Sequence, residues 1–146
     1  MTEISLQNRI ITLLEAERAG VFAAKALLGA AKDSAETDLM ALVLNGERES
    51  CRVLGRTLLQ MGTRGSAHVG DFAQKVMALD NTDDRLRLLI RGQEWVVRKI
   101  GEVLDTQPPA EIMLPLTEVR HIHDIGIGKC RDYLDSRSKT QSWTCS

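Results

Sequence analysis

Four apolar helical stripes run along this chain, and polar side chains break each one near its middle. They are Glu17 in the first, Glu47 with Ser50 in the second, Gln93 or Glu94 in the third, and His123 in the fourth. Carboxylates and imidazole are the donors that hold zinc, manganese and iron. If the helices pack antiparallel, their midpoints lie at similar height and these side chains converge on one layer of the core. A buried carboxylate without a partner costs several kcal/mol, so three in one layer require cations. A bound metal is one source. Arginine is the other: Arg18, Arg48, Arg52, Arg91, Arg98 and Arg120 flank these positions, and an arginine–carboxylate network would satisfy the same groups without metal. Glu15 replaces Glu17 as the inward residue if the first helix is rotated.

The elements that must position these residues follow from periodicity and stop signals. A first helix is expected over 5–31, with the stripe Ile10, Leu14, Val21, Ala24 and Leu28 and a stop at Gly29. A second is expected over 33–61. Asp33 and Glu36 open it in a capping-box arrangement, Met40, Val43, Leu54, Leu58 and Met61 form its stripe, and Gly62 ends it. Phe72, Val76 and Leu79 share one face of a short crossover helix over 68–79. The cluster Asn81-Thr82-Asp83-Asp84 caps a third long helix, which runs to about 104 through Leu86, Ile90, Val97, Ile100 and Leu104. Pro108-Pro109 opens a fourth over 110–134, with Ile112, Leu116, Val119, Ile127, Cys130 and Leu134 in line; Pro115 should kink its first turns or mark a later start. Residues 136–146 read as a polar tail. The expected fold is an all-α antiparallel four-helix bundle over 1–135. Two hairpins joined by a longer crossover match ferritin-like topology, and an ordinary up-down bundle fits nearly as well.

Composition agrees with a globular helical domain: 43% of residues are hydrophobic, 27% are charged, and the first 107 contain no proline. Aromatics at 3% argue against a β-sandwich and against base-stacking platforms. A net charge of −1 with no basic stripe argues against nucleic-acid binding. No segment approaches the about 20 apolar residues of a membrane span. Glu3 and Glu15 inside an amphipathic N-terminal pattern do not read as a signal peptide, so the cytoplasm is expected. Cys51, Cys130 and Cys145 lack zinc-site spacing, and the first two read as small core hydrophobes. His68 reads as a surface residue of the crossover. Gly126 and Gly128 follow no strand, so they read as points of close approach rather than a phosphate loop.

The segments LLEAERAG (13–20), NGERESCRVLGRTLLQMG (45–62), FAQKVMAL (72–79) and RGQEWVVRKI (91–100) carry a further signal. Through them nearly the whole chain resembles a small uncharacterised bacterial ferritin-like family, the last two segments being the specific ones. Ferritin-like di-iron proteins use a Glu on helix 1, Glu-x-x-His on helix 2, a Glu on helix 3 and Glu-x-x-His on helix 4. The resemblance therefore implies Glu17, Glu47, Glu94 and His123 as metal ligands, for iron or another transition metal. Two departures point to one metal rather than two irons: Ser50 stands where a histidine is expected, and Arg120 where a glutamate is. A true Glu-x-x-His, Glu118 to His121, lies about 160° round the helix from His123. The implied function is redox or metal-handling work; the alternative is a metal-free bundle acting as an interaction or accessory subunit. The resemblance also implies a homodimer, which Leu13, Phe22, Ala23, Ala26 and Leu27 outside the first stripe would serve. Trp143 in the tail is the candidate anchor for a protein partner.

Overall fold

The computed structural model describes residues 2–144, with side chains through residue 139, and is all-helical. In chain order the helices are α1 (Glu3–Gly29), α2 (Ser34–Gln60), α3 (Phe72–Met77), α4 (Thr82–Leu104) and α5 (Ala110–Thr144). The starts are where the capping residues place them. Thr2 accepts from the Ser5 amide, Asp33 from that of Glu36, and Asn81 from that of Asp84. Each side chain satisfies an amide that lacks an intrahelical partner. The crossover helix is shorter than expected because Gly70 adopts a left-handed φ of 77°, which breaks the segment before Phe72.

Each long helix contacts two others, in the cyclic order α1, α2, α5, α4, and α3 packs on α1 and α4. The apolar core falls into two clusters. One joins the N-terminal halves of α1 and α5 (Ile10, Leu14, Leu116, Val119) to the C-terminal halves of α2 and α4 (Leu54, Leu58, Val96, Ile100). The other joins the remaining halves, among them Ala24, Val43, Leu86 and Ile127. Between the two lies a polar layer.

Pro115 sits inside α5 without ending it. Six residues into a helix its missing N–H costs one hydrogen bond, and the carbonyl of Pro109 anchors the first turn by accepting from Ile112 and Met113. The expected tail is also different: α5 continues through 136–144. No glycine or proline follows Gly128 to stop it. Arg137 holds it at the bundle's end, its Nε 2.8 Å from Asp83 and its Nη1 donating to the Tyr133 hydroxyl at 3.1 Å. That hydroxyl donates to Glu36, which in turn accepts from the Lys32 amide. The side chain of Trp143 lies outside the described residues. Arg137→Ala should lower stability by about 1 kcal/mol, the usual net worth of such half-buried hydrogen bonds, readable as a Tm lower by a few degrees; an unchanged Tm would show that α5 stands there without this anchor.

The apolar surplus on α1 is mostly internal: Leu13, Ala23 and Leu27 are buried, while Phe22 stays half exposed.

Candidate metal centre

Each helix supplies the polar layer from the position that interrupts its stripe. Glu17, Glu47, Ser50, Gln93 and His123 are all buried, Glu17 and Ser50 completely. His123 Nδ1–H donates to the Val119 carbonyl one turn back, at 2.9 Å. In the neutral ring this leaves Nε2 as a bare lone pair, and Nε2 points into the layer. It lies 2.9 Å from Glu17 Oε1 and 3.6 Å from Glu47 Oε1. Gln93 Nε2 donates to Glu47 Oε1 at 3.2 Å.

Most of the remaining polar atoms have no hydrogen-bond partner. Both Glu17 oxygens, His123 Nε2, Ser50 Oγ and Gln93 Oε1 are buried without a partner in full hydrogen-bond geometry, although Ser50 and Glu47 lie close enough to act on the Glu17 carboxyl. Such atoms are rare in folded proteins and each calls for a reason. Donor atoms of Glu17, Glu47 and His123 lie within 4.8 Å of one another. Metal–ligand bonds of about 2.0–2.2 Å put adjacent donors about 2.9–3.6 Å apart at bond angles between 90° and 109°. The two separations from Nε2 fall in that range. Glu17, Glu47 and His123 could therefore hold a metal ion.

The electrostatics agree. Burial pushes Glu17 up to about 8, against smaller opposing effects of Glu47 and Ser50. Glu47 is raised well above the carboxylate range, first by burial and then by the charge of Glu17, with His123 and Gln93 acting the other way. A layer that resists ionisation this strongly takes up either protons or a cation. Burial also pushes the thiols of Cys51 and Cys130 up to about 12, each further raised by the nearby carboxylates. Both are poor nucleophiles and poor ligands.

Gly20 makes room for the layer. A Cβ on Gly20 would lie 2.4 Å from Glu47 Oε2, so the Glu47 carboxylate occupies the space a side chain would fill. Gly126 packs beside the Gln93 amide, where an added Cβ would stand 3.5 Å away, an ordinary contact.

Three of the four expected ligands come together. Glu94 does not: its carboxylate reaches outward to Arg131 Nη2 at 2.6 Å, and Gln93 takes the inward position on α4. The cluster is thus Glu17, Glu47 and His123, with Ser50 and Gln93 beside it. Glu15 stays at the surface, accepting from Ser66 Oγ. Glu118 and His121 are exposed, as is His68. Among the described residues no arginine pairs with Glu17 or Glu47. The arginine network would have needed such pairs, and only Glu94 has one.

Two openings flank the layer. A cleft of about 370 Å³ lies on the α1–α4 seam, under α3, with Glu17, Gly20, Gln93 and His123 in its lining. A smaller one of about 190 Å³ lies on the opposite, α2–α5 seam, and reaches Glu47, Gln93 and His123 past Leu42 and Ile125.

A family model, a domain of unknown function (DUF6306), matches residues 5–129. The chain belongs to that family. Its match reaches all four cluster-bearing helices and ends six residues after His123, so the whole layer lies inside the family's domain and the end of α5 outside it. No curated protein and no solved structure matches the chain. No helix among the described residues is long and apolar enough to cross a membrane.

Proposed function

We propose that this chain is an antiparallel four-helix bundle of the ferritin-like kind that binds one transition-metal ion through Glu17, Glu47 and His123, for redox or metal-handling work. The observation that carries the reading is the Nε2 of His123 facing two buried carboxylates, neither of which is paired with an arginine or lysine among the described residues. One nitrogen and two carboxylate oxygens suit iron(II), manganese(II) or zinc(II). The ion would supply positive charge and open coordination positions to the layer. The protein's own residues fix the ring through Val119, hold Glu47 through Gln93 and exclude bulk water with the two apolar clusters above and below. A single ion fits better than a pair, since Ser50 is the only residue at the position of the second helix's histidine and Glu94 is turned away.

The test is metal analysis of protein purified without an affinity tag, stripped with chelator and reloaded anaerobically. About one equivalent of iron, manganese or zinc is expected, falling to background in Glu47→Ala and His123→Ala. Less than about a tenth of an equivalent in the parent protein would overturn the reading. Ser50→His extends the test. It completes a Glu-x-x-His pair with Glu47 on one helix face, since residues three apart are neighbours. Iron affinity should rise about tenfold or more, and an unchanged affinity would mean that position 50 does not face the ion.

A further inference from the structure

We infer that the cleft on the α1–α4 seam is a binding site for a small amphiphilic monocarboxylate: an alkyl or arylalkyl body inside, a carboxylate at the rim. The cleft is open because, apart from Glu17 at its floor, α1 contributes only the small residues Ala16, Ala19 and Gly20. Its other side is apolar and shaped, formed by Leu88, Leu89, Trp95 and Val96 of α4 and by the Phe72 ring from α3. Gly92 lets that ring approach the α4 backbone; a Cβ there would lie 2.8 Å from Phe72 Cζ. At about 30 Å³ per water-sized group, 370 Å³ holds about a dozen non-hydrogen atoms. Close packing is the rule inside proteins, so an apolar opening of this size beside a polar cluster reads as a ligand site.

The polarity is graded along the cleft. Its floor carries Glu17, Glu47, Gln93 and His123, several of whose buried atoms lack partners. Arg91 lines the cleft and is also exposed, which places it at the mouth. It has no ion pair among the described residues, whereas Arg131 and Arg137 on α5 are each committed to a carboxylate. An uncommitted guanidinium over an apolar throat recognises a carboxylate through charge-assisted hydrogen bonds. The ligand therefore enters apolar end first.

Calorimetric titration of the full chain with octanoate, and with 1-octanol as its uncharged counterpart, tests this. Both compounds are titrated into chelator-treated and into metal-loaded protein. A chain that takes no metal still tests the cleft, and an empty cleft leaves the metal result standing. Octanoate should bind one to one below about 1 mM. Arg91→Gln should weaken octanoate about fivefold or more and leave octanol unchanged. Ala19→Phe, which fills the cleft from α1, should abolish both; its folding is checked by its thermal transition, and Arg91→Gln decides the matter if it does not fold. Octanoate that fails to saturate, or that loses nothing in Arg91→Gln, would overturn the assignment.

Discussion

The metal-free protein should lose stability as the pH rises from 5 to 8. Glu17 titrates at about 8 in the folded chain, because burial disfavours its charged form, and at the ordinary carboxylate value of 4.5 once the chain unfolds. Below the lower value the carboxyl is protonated in both states. Between the two the unfolded chain releases a proton that the folded chain retains, so each unit of pH favours unfolding by about 1.4 kcal/mol. Across the whole interval the effect is on the order of 5 kcal/mol, and Glu47, raised in the same direction, adds to it. This is a large part of a typical domain's stability of about 5–15 kcal/mol. Glu17→Gln should make the profile shallower, since an amide cannot ionise and only the share of Glu47 remains. Saturating zinc or manganese should turn the trend upward, because the ion binds the deprotonated layer and displaces its protons. Urea midpoints measured at fixed pH values check all three curves. A metal-free parent protein whose midpoint holds steady or rises over this range would contradict the buried, proton-holding layer.

Gly20→Ala should separate the metal layer from the fold. The added methyl would sit 2.4 Å from Glu47 Oε2 and 2.7 Å from its Cδ, closer than any real contact. The atom that must give way is the end of a flexible side chain, so the helix tolerates the change. Alanine in place of glycine even favours the helix by up to about 1 kcal/mol. The carboxylate, though, must leave its place opposite His123. Metal affinity should fall about a hundredfold, at the upper end for loss of a group that orients ligands, while the metal-free protein melts at the same temperature or higher. Equal affinity in the two proteins, measured by competition with a chromogenic chelator, would show that Glu47 is not a ligand.

The helices were legible because the apolar period, the capping residues and the glycine stops agree with one another. Glu17, Glu47 and His123 were legible for the same reason: each replaces an apolar residue at a stripe position. Gln93 and Glu94 could not be separated that way. They stand about 100° apart on either side of the stripe, and what assigns them is tertiary: Arg131 waits outside for the carboxylate, and Glu47 inside accepts from the amide. The end of α5 was misread because its composition is that of a loop. The residues that hold it, Asp83 and Glu36, come from helices far away in the sequence. The cleft left no trace at all, since Ala16, Ala19 and Gly20 are ordinary helix residues until the opposite wall is known.

The two openings lie on opposite seams, with the same three side chains, Glu47, Gln93 and His123, reachable from both. Traffic through them is therefore separable. An ion and its waters can come and go past Leu42 and Ile125 while the other door is shut by an occupant. A bound ion would then keep a route to solvent with the larger cleft filled, while an occupant touching Glu47, Gln93 or His123 would alter the ion's exchange lifetime through those shared side chains.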